Sequence, residues 1–273
     1  AFPFIQQDWD WSSFRIMGVL QRIALAYGIA AIMVIHLDLK KIFISALGIL
    51  IAYWGILWIG GGEDPYSLEH NLVRKIDIFL LGESHLYGGT GIQFDPEGLL
   101  STLPSIVTVL IGYLVGSMLH TTKNFLDNVK RMSAFGFGLI IVGMIWGLLF
   151  PINKQLWTSS YVLFTGGIAT LFLSALCFMI DIKKWKKPLW VFQIFGTNSI
   201  FLFVLSGLWT KIILRLRFDF EGQSISGYGY LYKTLFVPIG GDMFGSLLFA
   251  IAHLVGFWLV LLWLYRKKIF INL

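Results

Sequence analysis

The sequence predicts an all-α protein, a polytopic transmembrane helix bundle of about seven spans. Three observations carry this. The 273 residues are 57% hydrophobic and only 13% charged, against about 25% charged in a soluble domain, and the mean hydropathy is +0.76. Seven apolar runs, about 16–35, 42–60, 99–119, 133–150, 157–180, 190–213 and 243–265, approach the length needed to cross a bilayer, roughly 20 helical residues. None alternates with period two, so a barrel is not expected, and in lipid the remaining spanning solution is a helix. The whole chain reads as one transmembrane domain.

The basic residues are grouped between spans: Lys40 and Lys41; Lys123, Lys130 and Arg131; Lys183, Lys184, Lys186 and Lys187; Arg266, Lys267 and Lys268. Such alternation marks the cytoplasmic side. It puts the C-terminus inside, and "QQDWDW", the loop 61–98, "PINK" and the loop 214–242 outside. The net charge of +6 is thus a topology signal, and nucleic acid is not expected as a partner. The opening "AFPFIQQDWDWSSF" is aromatic and acidic, the reverse of a basic n-region, and lacks a Met. The chain is therefore expected to be the remainder of a longer protein. The lone Cys177 allows no internal disulfide and suggests no metal site.

The loop 61–98 exceeds the usual length of an unstructured connection. Its "NLVRKIDIFLLGESHLYGG" is apolar at helical spacing, which predicts a short helix on the outer face. Polar residues inside or beside the spans are the candidate chemistry. In "RIMGVLQRIALAYG", Gln21 and Arg22 lie within the first span, where Arg22 either snorkels or faces a wet interior. In "FDPEGLLSTLPS", Asp95, Pro96 and Glu97 have the form of a helix N-cap; a carboxylate orienting a polar substrate is the other reading. "PINKQLWTSSYVLFTGG" packs Asn153, Lys154, Trp157, Thr158, Ser159 and Ser160 at a helix mouth, a turn with an aromatic belt or the lining of a polar cavity. Asn198 in "FGTNSI" interrupts the sixth span, as helix–helix glue or as a break lining a cavity. Among five histidines, His36 and His120 read as solvated ends, His70 and His85 as outer-loop residues and His253 as an intramembrane packing residue. No metal, nucleophile-elbow or phosphate-loop motif is present.

Taken in order, "RIMGVLQRIALAYG", "IDIFLLGESHLYGG", "FDPEGLLSTLPSI", "PINKQLWTSSYVL", "FGTNSI" and "YRKKIF" resemble the transmembrane acetyltransferases of the heparan-α-glucosaminide N-acetyltransferase family, including its bacterial relatives. The resemblance implies transfer of an acetyl group from cytoplasmic acetyl-CoA, as co-substrate, to an amino sugar or glycan acceptor on the outer face. It implies an integral protein of a bacterial inner membrane, in contact with lipid, with a homodimer left open. It marks Asn153, Lys154 and His85 for catalysis, and Arg22, Gln21, Asn198 and Trp157 for the cofactor. It marks Asp77, Asp95 and Glu97 for the acceptor. Ile78 departs from the family, which tends to carry Arg after the Asp. The family's catalytic His lies in a segment that would precede "FPFIQQDWDW", so this chain by itself is expected to be inactive. A transporter or flippase for a polar solute, and an O-acyltransferase, are the competing readings.

Overall fold

The computed structural model describes residues 11–119, 121–185 and 187–271. His120, Lys186 and most of the N-terminal aromatic stretch lie outside the described residues. The chain divides into two compact units, Ala1–Lys183 and Lys184–Leu273.

The first unit is a helix bundle. Its elements are α1 (Val19–His36), α2 (Leu39–Gly60), α3 (Leu72–Leu81), α4 (Thr102–Met118), α5 (Phe125–Gly147) and α6 (Ser159–Cys177). Each long helix buries one stripe and leaves the rest of its apolar surface exposed, the inverse of a soluble helix. On α1 the stripe is Arg22, Ala26 and Ala30. On α2 it is Ile42, Ala46, Leu50, Tyr53 and Leu57. Between these helices there is no hydrophobic drive in lipid, so close packing must hold them. The α5–α6 contact shows how: a Cβ on Gly143 would lie 2.7 Å from the Phe164 nitrogen, and one on Gly167 would lie 2.6 Å from the Gly136 carbonyl oxygen.

Two helix starts differ from the sequence reading. Asp95 does not cap α4. That helix begins at Thr102 behind Ser101, and Asp95 Oδ1 accepts instead from the Glu97 amide at 3.0 Å, within a turn. The carboxylate was needed elsewhere, as described below. α5 begins at Phe125 rather than 133, because Asn124 caps it by accepting from the Leu126 amide. The short helix expected in the loop 61–98 is α3, capped by Asn71 accepting from the Arg74 amide.

The second unit holds α7 (Trp190–Thr197), α8 (Ser199–Arg215), the strands β1 (Arg217–Phe220) and β2 (Gln223–Ser226), α9 (Gly227–Leu231) and α10 (Val237–Arg266). The α7–α8 pair is bent by 76° at Asn198. The amide side chain of Asn198 donates to the Ile269 carbonyl at 3.1 Å and accepts from the Ile271 N–H at 2.7 Å. The hairpin β1–β2 was not foreseen. It turns on Glu221 and Gly222, both with positive φ (53° and 76°), the geometry that favours two-residue hairpins. α10 is interrupted at Gly240 and Gly241.

Among the described residues five helices are long and apolar enough to cross a membrane, six with the bent pair counted as one, and Thr102–Met118 is a shorter apolar helix. The protein is an all-α integral membrane protein.

Candidate functional site

The polar residues of the first unit gather at one end of its bundle, where the segment before α1, the loop 61–101 and the 148–158 turn meet. Arg22 sits on the buried stripe of α1 and is 7% exposed, whereas its neighbour Gln21, one position round the helix, is exposed. The 100° per residue of an α-helix separates the two, so the expected Gln21–Arg22 pair is not brought together.

The Arg22 guanidinium donates to the Pro96 carbonyl at 3.1 Å and lies 3.9 Å from a Glu97 carboxylate oxygen. It stacks over the Trp157 ring, 4.0 Å from the centroid. Snorkelling is thereby excluded; the charge is held inside by a carboxylate, a carbonyl and an aromatic face. Trp157 has φ 51°, an unusual conformation for a large side chain that persists only when the surroundings hold it. They do so here: its indole N–H donates to Thr108 Oγ1 at 3.2 Å, and its ring meets Tyr161 edge-on at 5.1 Å. Thr108 was missed from the sequence. A Thr inside an apolar run carries no local signal of a partner 49 residues away.

Arg15 clamps the other side of the same turn. It makes a fork to Asp95, 2.8 Å and 2.7 Å to the two oxygens, and reaches Glu97 at 2.7 Å. Such charge-assisted, bidentate pairs are the strong ones. Glu97 is therefore shared between Arg15 and Arg22, while Asp95, fully buried, is spent on Arg15. His85 pins the strap that carries Arg15: its Nδ1 lies 2.7 Å from the Phe14 carbonyl oxygen. A carbonyl can only accept, so Nδ1 carries the proton and Nε2 of the neutral ring keeps its lone pair.

Asp77, from α3, reaches under this turn. Its Oδ1 accepts from the Leu99 N–H at 2.9 Å, and Oδ2 is buried without a hydrogen-bond partner. Burial drives its pKa up to about 7, with the charge of Asp95 adding to the rise and the Leu99 and Leu100 N–H groups opposing it. The consequence has a definite sign. An unfolded Asp ionises near pH ~3.9, so between there and about 7 the unfolded chain loses a proton that the folded one keeps. Stability then falls as pH rises through that interval and levels off above it. Asp77→Asn, which retains the acceptor for Leu99, is expected to flatten the decline in apparent Tm between pH 5 and 8 measured in detergent. An unchanged slope would place the titration elsewhere.

The "PINK" stretch is largely self-satisfied. Asn153 Oδ1 accepts from the Gln155 and Leu156 amides at 2.8 Å and 3.3 Å. Thr158 Oγ1 donates to the Pro151 carbonyl at 2.9 Å and accepts from the Asn153 N–H at 3.0 Å. Ser159 donates to the Leu50 carbonyl at 2.8 Å and Ser160 to that of Phe150. These hydroxyls, fully buried, fasten the start of α6 to α2 and to the end of α5, and do not line an open space. Lys154 is exposed. Asn198 belongs to the second unit and holds the C-terminal segment. Among the described residues no cluster of His, Cys, Asp and Glu suited to a metal ion is found.

The structure therefore unites Arg22, Trp157, Asp95 and Glu97 with Arg15 and Thr108. It sets Asp77 beneath them and His85 beside the Arg15 strap, and leaves Gln21 apart. No family model matches the chain. Two curated proteins are similar to it. The heparan-alpha-glucosaminide N-acetyltransferase of Homo sapiens is 28% identical over 249 residues, covering 71% of this chain and 37% of that protein. The Mus musculus protein of the same name is 28% identical over 251 residues, covering 71% and 38%. The chain thus spans well under half the length of the curated relatives it matches.

Proposed function

We propose that this chain, a relative of the heparan-α-glucosaminide N-acetyltransferases, serves an N-acetyl transfer from acetyl-CoA to an amino sugar, with the acceptor at the end of the bundle that carries Arg22. The observation that carries the proposal is a buried arginine laid on an aromatic face in a chain with this kinship. The reaction forms a C–N bond, breaks the thioester C–S bond and releases the ammonium proton of the acceptor.

In this reading the Arg22 guanidinium donates to the thioester carbonyl at the acetyl-bearing end of acetyl-CoA, where that end meets the acceptor. Glu97, the more accessible of the two carboxylates at 17% against 0% for Asp95, faces the amino sugar. Asp95 and Arg15 fix the turn that presents it, and Asp77 supports that turn from below. Asn153 spends its carbonyl oxygen on the turn, which leaves the Nδ2 donor for a developing oxyanion, with the Lys154 ammonium beside it. His85 offers Nε2 as a proton acceptor. The inside-facing basic clusters and the bacterial inner membrane complete the proposed setting, with acetyl-CoA on the basic side.

A transport function is the second reading, and the broken α7–α8 pair favours it, since interrupted spans line solute paths in transporters. One experiment addresses both. The full-length protein that carries this chain, since the chain by itself is expected to be inactive, is reconstituted in liposomes with labelled acetyl-CoA on one side and glucosamine on the other. Acetylated amine is expected, and Arg22→Ala is expected to lower kcat/KM for acetyl-CoA about tenfold or more, the scale of one charge-assisted contact. Passage of an intact solute without acetylation would replace the transferase with the transporter.

A further inference from the structure

The second unit contains a cavity that the acetyl-transfer reading does not use. It measures about 420 Å³ and is lined by α8, the Leu231–Phe236 stretch and α10, including Trp209, Phe249, His253, Gly256 and Phe257. A smaller cavity of about 250 Å³ shares Trp209 and Leu231 with it. Volumes of this order hold small molecules. A Cβ on Gly256 would meet nothing within 4 Å, so the glycine leaves space toward the lumen. Part of the wall, Tyr232–Phe236, is π-helical, an irregularity that recurs at functional sites. Trp209, Leu235 and Val260 are partly exposed, at 39%, 54% and 40%, so the cavity opens sideways at the depth of two apolar helices.

Its polar feature is His253. The ring lies 4.3 Å from Phe249, 5.8 Å from Tyr228 and 6.2 Å from Trp209, centroid to centroid. Nδ1 sits 2.9 Å from the Phe249 carbonyl oxygen of the preceding turn. That oxygen accepts, so Nδ1–H is the donor and the neutral ring presents Nε2 as an acceptor. Among the described residues Nε2 has no hydrogen-bond partner. An acceptor in an apolar, aromatic space at membrane depth is costly unless a donor reaches it.

We propose that this cavity binds a bilayer-soluble molecule with an apolar body and one hydroxyl, the hydroxyl donating to His253 Nε2. A plain hydrocarbon chain would leave Nε2 unpaired, and a water-soluble polyol would find, besides His253, only the Trp209 indole N–H among the polar side-chain groups of the wall. Aromatic walls suit a ring or a branched chain, and the sideways opening admits a ligand from the bilayer.

The test compares two probes on the full chain in nanodiscs: 4-hexylphenol and its methyl ether, which lacks only the donor. Binding is read from quenching of tryptophan emission and from the shift in apparent Tm. The phenol is expected to bind about tenfold more tightly than the ether, the scale of one buried hydrogen bond. His253→Gln should keep much of that preference, His253→Phe should remove it, and Gly256→Leu should weaken both probes by filling the space. Equal binding of phenol and ether to the unaltered protein would overturn the proposal and reduce the cavity to a seat for lipid chains. So would binding unaffected by Gly256→Leu. None of these readouts requires acetyl transfer, so their failure is distinct from failure of the transferase reading.

Discussion

Arg15→Ala is expected to be among the most damaging single substitutions in the first unit, lowering stability by about 3–5 kcal/mol, the cost of leaving one partner of a buried ion pair unpaired. The asymmetry of the pair makes the expectation specific. The Asp95 side chain is 0% exposed while that of Arg15 is 34% exposed. Without Arg15, the carboxylate keeps only the Glu97 amide in a dry site, with its other oxygen left without a donor. Without Asp95, Arg15 can turn to water and retains Glu97 at 2.7 Å. Asp95→Asn should therefore cost much less than Arg15→Ala, and the double variant should be more stable than Arg15→Ala alone. Apparent Tm and the monodisperse fraction in detergent give the ranking. If Asp95→Asn is the worse of the two, the clamp does not work by satisfying a buried charge.

Gly98→Ala is the second large effect. The added Cβ would sit 1.8 Å from Asp77 Oδ2 and 2.7 Å from its Cγ, well inside contact distance. The carboxylate would have to swing off the Leu99 N–H, which it accepts at 2.9 Å, so the variant combines overpacking with a broken buried hydrogen bond. Each is worth about 1–3 kcal/mol, and together they should lower folded yield severely. Asp77→Ala removes the obstacle while leaving Leu99 without its acceptor. The double variant should therefore lose at least about 1 kcal/mol less than the sum of the singles, as expected of groups in direct contact. Simple additivity would mean that the turn yields as a whole and that Gly98 is not held against Asp77.

The helices were legible because lipid imposes one rule on every span. Length and hydropathy therefore located α1, α2 and α6 within a few residues. Short-range side-chain chemistry moved the ends: Asn124 capping the Leu126 amide begins α5 earlier than the apolar run does. Gly240 and Gly241 break α10 where apolarity continues. The hairpin at Arg217–Ser226 was hidden by length, since two four-residue strands lie within a loop whose only strong local signal is Glu221-Gly222.

The candidate site divides in the same way. Arg22 was conspicuous because an arginine in an apolar run is costly wherever it points. Which way it points was set by the Trp157 ring and Pro96, 74 residues away on the chain. "FDPEG" carries the composition of a helix cap, yet α4 begins only at Thr102; Asp95 keeps a local bond from the Glu97 amide and adds the Arg15 fork, a partner 80 residues away that no local pattern reveals. The polar run at "PINKQLWTSSY" was legible as a concentration of donors and acceptors. Its use was not: Thr158, Ser159 and Ser160 bond to Pro151, Leu50 and Phe150, and only the packed helices decide whether a hydroxyl faces a neighbour's carbonyl or a cavity. Composition and run length by themselves determined that this chain spans a membrane as helices, because the penalty for an unpaired peptide group in lipid is local and acts on every residue. Which polar side chains meet was decided by tertiary structure alone, because Arg15 with Asp95, Trp157 with Thr108 and Asp77 with Leu99 are contacts between elements far apart in the chain, and their energy exists only after the helices have packed.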